Sequence, residues 1–238
     1  MLHATLVAER EIPGAVGGAS LNIASVSDQY FLGDDWVLDG SNKVQTWNNR
    51  GGLGSVNATE ATNRPAGNTA TLNGHHGATG NGTNTRLIFG SGIAMGANHT
   101  FAMIASKGSG LSCLLGFANS LGLLSTGTGG ESFQWFADGN RTLSAGATGG
   151  HLVTITHADG GQTVGYFDGT QVFSVASSTT FAGKFIGTLL CRCSTDPVTG
   201  NDLFTTGTIF AYVHCPSVLG ASDLSSLNNQ LKAWGGIP

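Results

Sequence analysis

The sequence is short of charge. Asp, Glu, Lys and Arg make up only 10% of its 238 residues, against about 25% in an average soluble domain. The net charge is −4 with no run of either sign. Without a basic stripe to neutralise phosphates, a nucleic-acid partner is not expected. No apolar stretch reaches the roughly 18 residues that cross a bilayer as a helix, so membrane insertion is not expected either. The opening MLHATLVAEREIPG places Glu9, Arg10 and Glu11 where a secretory signal needs an apolar core, which points to synthesis in a cytoplasm without export by the general route. Cysteine is sparse: Cys113, Cys191, Cys193 and Cys215 belong to a chain long enough to fold without staples. Cys191 and Cys193 flank Arg192 and would share one face of a strand, as buried thiols.

Acids are scarcer still. A retaining glycan hydrolase needs two carboxylates about 5–5.5 Å apart, yet the chain has four Glu: Glu9, Glu11, Glu60 and Glu131. Glu131 has Asp138 seven residues on, a spacing that puts the two on opposite faces of a strand. There is no Gly-x-Ser-x-Gly elbow. No catalytic residue is assigned.

What is abundant is Gly, 38 residues, roughly twice its usual share, with Thr, Ser and Asn. Short β-branched or aromatic runs end in Gly, Asp or Asn from residue 86 onward: TFAMIAS, SCLLGFA, LGLLST, SFQWF, HLVTITHA, TVGYF, TQVFSVA, KFIGTLL and GTIFAYVHC. In TFAMIAS, Phe101, Met103 and Ala105 alternate against Ala102 and Ile104. Hairpins are expected at Asp159-Gly160-Gly161, Asp168-Gly169 and Asp138-Gly139, because Asp and Gly tolerate the positive φ of tight turns. The first two make a three-strand meander. Residues 57–86 read as a polar surface excursion with at most one short strand. One helix is expected, in SDLSSLNNQLKAWGG, capped by Ser222 and carrying Leu224, Leu227, Leu231 and Trp234 on one stripe. The fold class is therefore all-β: a jelly-roll β-sandwich of two antiparallel sheets with a short C-terminal helix.

Trp47-Asn48-Asn49-Arg50-Gly51-Gly52, Arg64-Pro65, TFAMIAS, Tyr166-Phe167-Asp168-Gly169, KFIG, GTIFAYVHC and the closing Trp234-Gly235 together resemble the laminin-G-like branch of the concanavalin A-like lectin/glucanase superfamily, of the kind found in phage virion proteins. The resemblance implies a lectin-like sandwich over residues 20–238, with residues 1–19 as an N-terminal arm. Where that family has Asp and Ser in the early turn, this chain has Asn49 and Gly51, which argues against a metal site there.

Three constellations carry candidate chemistry. Trp135, Asp138, Asn140 and Arg141 surround one turn and could offer a glycan an aromatic platform with polar partners; the competing reading buries Trp135. Asp34, Asp35 and Asp39 lie close enough to serve calcium, which takes six to eight oxygens; otherwise they shape turns. Cys191, Cys193, His214 and Cys215 have ligand types that suit zinc, though core cysteines fit better, and the His75-His76 pair is a weaker metal candidate. His151 and His157 read as polar groups at a sheet edge, and Trp47 and Trp234 as core. No cofactor other than calcium is implied. The functional expectation is a non-enzymatic virion surface protein, a capsid decoration or a tail or fibre component. It would be made in a host cytoplasm, assemble with copies of itself or other virion proteins through residues 1–19, and contact cell-surface glycans. A stand-alone carbohydrate-binding module and a glycan hydrolase are the alternatives.

Overall fold

The computed structural model describes residues 21–54, 57–108, 110, 112–117, 120–126, 132–145, 149–193 and 201–238. The arm of residues 1–19 and Glu131 lie outside them. The first element is a single helical turn, α1 (Ile23–Val26). Strands β1 (Gln29–Leu32), β2 (Trp36–Leu38), β3 (Val44–Trp47), β4 (Ala58–Thr59), β5 (Ala66–Leu72) and β6 (His75–Thr79) follow. Then come β7 (Leu87–Ala94), β8 (Asn98–Ser106), β9 (Ser112–Phe117), β10 (Ser120–Thr126), β11 (Ser132–Trp135), β12 (Arg141–Ala145) and β13 (His151–Ala158). The last are β14 (Gln162–Phe167), β15 (Thr170–Ala176), β16 (Phe185–Leu189), β17 (Arg192–Cys193), β18 (Asn201–Asp202), β19 (Thr208–Cys215) and helix α2 (Ala221–Gly235).

These strands build two antiparallel sheets, so the all-β sandwich with a short C-terminal helix is the observed architecture. An eight-stranded sheet runs β15-β14-β13-β8-β19-β6-β5, with β1 also on β19; a nine-stranded sheet runs β12-β11-β10-β9-β16-β7-β4-β3-β2. The small pair β17-β18 stands apart. On one side β19 has two successive neighbours, β6 at Thr208 and Ile209 and β1 from Ala211 to His214.

The alternation in β8 decides which layer each residue enters. Phe101, Met103 and Ala105 face the space between the sheets with Phe31, Trp47, Phe89, Phe117, Trp135 and Tyr212. Ala102 and Ile104 face outward, where they meet Leu224, Leu227, Leu231 and Trp234 of α2. The inner strands are thus apolar on both faces because one face meets the other sheet and the opposite face meets a helix. The helix stripe is as the sequence predicts, but α2 starts one residue before the expected cap: Gly220, not Ser222, is the N-cap, and Gly236 at φ 62° closes the C-terminus. The three hairpins form where expected, with Gly139, Gly160, Asp168 and Gly169 all at positive φ.

Residues 57–86 depart from expectation. They contain β4, β5 and β6, and β5 pairs with β6 across a turn at Asn73 (φ 50°) and Gly74 (φ 80°). Both φ values are those of the tightest hairpin turns. The family-like turn also gains a physical reason. The Asn49 side chain accepts hydrogen bonds from the Tyr30 and Gly51 N–H groups and donates to the Asp28 and Leu53 carbonyls. Gly51 lies so close to Asp28 that a Cβ would sit 2.6 Å from its carbonyl.

The register separates two ends. Thr79, Ser106, His151 and Thr208 mark one, where the turn after β2 and the β4–β5 and β6–β7 connections meet. Asn98, Ala158 and Cys215 mark the other.

Candidate functional site

The loop end gathers charge in a chain that has little. Asp39 accepts hydrogen bonds through Oδ1 from the Ser41 and Lys43 N–H groups, and its Oδ2 lies 3.0 Å from Arg64 Nη1. The Lys43 and Ser41 amides, then Arg64, hold this carboxyl below its usual range. Arg64 also donates through Nε to the Glu60 carbonyl. Glu60 is buried; its Oε1 caps the Thr62 and Asn63 amides, and its Oε2 lies 3.3 Å from Arg86 Nε. The two inter-sheet connections are tied by Arg86 N–H to the Asn63 carbonyl and by Asn84 Nδ2 to Asn63 Oδ1, both 3.0 Å. Fixed guanidinium, carboxylate and amide groups thus share a surface of three loops, the kind of place where a rigid sandwich presents contacts. Sequence reading passed over this cluster because its members come from three separated segments. The Arg64-Pro65 pair and Glu60 were visible there, but not their convergence.

The opposite end is built from buried polar groups. Each of three neighbouring central strands carries a His there: His214 on β19, His99 on β8 and His157 on β13, with His157 directly paired to His99. Their side chains run in a line. His214 Nδ1 lies 2.6 Å from Asp28 Oδ1, and its Nε2 lies 2.8 Å from His99 Nδ1. His99 Nε2 lies 2.8 Å from the Gly96 carbonyl, so it must donate, leaving Nδ1 to accept from His214. Burial, then the neighbouring His214 charge, pushes His99 down to about 4, so the ring is neutral at ordinary pH.

His157 has the opposite state. Its Nδ1 contacts Thr163 Oγ1 at 2.8 Å and Asp138 Oδ2 at 3.4 Å, and its Nε2 contacts Asp159 Oδ1 at 3.0 Å. Burial pulls its pKa down, but hydrogen bonds to Asp138 and Asp159 outweigh this and hold it above the ordinary value. Burial raises the Asp138 carboxyl, but His157, Thr163 and Trp135 together bring it well below the usual range. Ser177 Oγ lies 3.2 Å from His157 Nε2, which superficially completes a Ser-His-Asp set. A base must offer a free Nε2 lone pair to its serine; this Nε2 is turned to Asp159 and its side chain is fully buried. The arrangement is not a nucleophile site.

Several expectations are corrected by this geometry. Trp135 is 0% and Asp138 2% exposed, with the indole N–H donating to Asp138 Oδ2 at 3.0 Å. The turn is therefore anchored inward and offers no aromatic platform; only Asn140 and Arg141 reach the surface. Asp34, Asp35 and Asp39 do not converge on a cation. Asp34 pairs with His76 at 2.6 Å, Asp35 with Arg50 at 2.6 Å and Asp39 with Arg64. Among the described residues no group of three or more His, Cys, Asp or Glu could hold a metal ion. His214 serves the histidine line and not a zinc set. Cys113, Cys191 and Cys215 are buried, and burial pushes Cys215 up to about 12. His157 is no edge group, since β13 lies between β14 and β8. Trp47 and Trp234 are core.

No protein-family model and no curated protein matches the chain. Solved structures do share its fold. A Trypanosoma rangeli sialidase in complex with a difluorinated 2-keto-3-deoxy-nononic acid superposes with a TM-score of 0.57 at 16% identity, over 91% of this chain and 34% of that one. The sialidase of the same organism in complex with sialic acid gives 0.55 at 16% identity over 90% and 33%, and in complex with the inhibitor DANA 0.55 at 15% over 84% and 32%. The chain spans about a third of the length of these proteins. The expectation of a non-enzymatic virion surface protein is overturned here: solved structures that share the fold include sialidases, and the glycan hydrolase alternative fits them better. What this chain has in common with them is an all-β sandwich.

Proposed function

We propose that the chain is a glycan-binding β-sandwich, a lectin-like unit of a carbohydrate-active protein. The observation that carries this reading is the asymmetry of the fold likeness: 91% of this chain corresponds to only 34% of a sialidase chain. A unit of that kind supplies one part of a larger machinery, and the resemblance of its turns to concanavalin A-like lectins agrees with a recognition role. Bond cleavage by the usual glycosidase route needs paired carboxylates flanking the substrate. Asp138 and Asp159, two carboxylates that share a neighbour, are bridged by the buried His157.

The contact surface in this reading is the loop end. The Arg64 and Arg86 side chains are 23% and 21% exposed, while carboxylates fix their orientation. Planar forks and side-chain amides of Asn63 and Asn84 suit adjacent sugar hydroxyls, which accept and donate at once. A surface low in charge also adds little unspecific attraction. The test is a glycan panel of neutral and sialylated sugars, with a fluorogenic sialoside assayed in parallel. Binding that is lost in Arg64→Ala and Asn84→Ala, with unchanged melting, supports the reading. Absence of binding across the panel overturns it, and turnover of the sialoside replaces recognition with hydrolysis.

A further inference from the structure

The chain between β15 and β16, residues 177–184, crosses the histidine end as a strap. Its backbone is held by side chains of two turns. Asp138 Oδ1 accepts from Ser178 N–H at 2.9 Å and Thr179 N–H at 3.0 Å. Asp159 accepts from Phe181 N–H through Oδ1 at 2.8 Å and from Ala182 N–H through Oδ2 at 3.0 Å. Between these attachments Phe181 drops into the core and is fully buried. Its ring meets His157 at 4.4 Å, Phe117 at 5.0 Å, His99 at 5.9 Å and Trp135 at 6.0 Å between centroids.

Four strap amides therefore depend on two carboxylates, and both carboxylates touch one imidazole, that of His157. We propose that His157 is a proton-dependent clasp that fastens the strap of residues 177–184 over this end of the sandwich. With both nitrogens protonated the ring donates through Nδ1 to Thr163 Oγ1, whose hydroxyl donates on to Asp138 Oδ2, and through Nε2 to Asp159 Oδ1. The neutral ring has a single N–H, so either Asp159 faces the Nε2 lone pair or Thr163 turns its hydroxyl to Nδ1 and away from Asp138. The carboxylate that loses its donor is held less firmly, and so are the strap amides bound to it.

The other groups facing His157 do not replace its proton. They are Thr163 from β14, Ser177 from the strap, and His99 from β8, which is neutral and backed by His214 and Asp28. The sign follows from the raised pKa of the folded ring. The clasp is complete below the unfolded value of about 6.5 and is lost as pH rises through the folded value. The strap is thus released on the alkaline side. This inference stands independently of any glycan contact at the opposite end.

The experiment is amide hydrogen exchange of the intact protein at pH 6 and pH 9, corrected for intrinsic rates, together with an NMR titration of the His157 ring. Protection of residues 178–182 should fall by about ten-fold or more between the two pH values, while β8 and β19 keep theirs. In His157→Gln, which cannot carry the charge, the same amides should exchange rapidly at both pH values. Should that variant not fold, the wild-type titration decides: exchange must rise at the pH where the His157 signals move. Equal protection on both sides of that titration, or a His157 already neutral at pH 6, overturns the proposal.

Discussion

The two ends of the sandwich use the same ingredients, carboxylates facing cations and backbone amides, with opposite results. At the loop end the Asp39–Arg64 pair is partly exposed and joins two loops; each partner can find water when the other is removed. At the histidine end Asp138 is buried and satisfies the Trp135 indole, the Thr163 hydroxyl, two strap amides and His157 together. Removing one group there leaves several others stranded. The contrast shows that an ion pair stabilises in proportion to what its loss would leave unpaired, not to its distance. It also explains why one end is suited to outside partners and the other to holding the fold.

The comparison can be broken most forcefully at Asp138. Asp138→Ala should lower the unfolding free energy by about 3–5 kcal/mol in chemical denaturation, since it strands a buried cation and several donors. A loss no larger than that of a surface mutation would mean that the network contributes little. A second test uses acid. His99 has a depressed pKa in the folded state, so its contribution is present above about 6.5 and is lost as pH falls through about 4. Between those values the wild type should lose on the order of 1–3 kcal/mol more than His99→Asn, as read from melting at each pH.

Smaller effects sharpen the contrast. Tyr212 is buried between the sheets and its hydroxyl has no hydrogen-bond partner among the described residues. Tyr212→Phe should therefore leave stability equal or raise it by about 1 kcal/mol, the reverse of the result at Asp138. Least of all, Asp39→Asn at the loop end should leave the denaturation midpoint where it is, because water reaches this partly exposed pair.

Much of the fold was legible in the sequence. Asp-Gly turns fix the hairpins of β11 to β15, and the alternation of Phe101 and Met103 against Ala102 and Ile104 sorts the two faces of β8 correctly. The β5–β6 hairpin escaped because its strands are short on apolar residues, although Asn73-Gly74 is itself a strong turn signal. The sites were harder to read. Trp135 in a polar turn looks like a platform until the partner of its N–H is known, and Asp138 looks like ordinary turn chemistry. The histidine line left a faint trace: three apolar strands, NHTFAMI, LVTITHA and TIFAYVHC, each carry a His near one end. Only the strand order, which brings β19, β8 and β13 side by side, turns that trace into a row.

The place of β19 also has a consequence in time. It lies in the middle of the eight-stranded sheet, between β8 on one side and β1 and β6 on the other, yet it is the last strand of the chain. Its partner β1 is separated from it by nearly the whole described sequence, Gln29 pairing with His214. Until β19 has left the ribosome, the edges of β1, β6 and β8 that face it have nothing to pair with. Folding of this sheet must therefore wait for β19 and has a high contact order, slow in comparison with helical proteins of similar size.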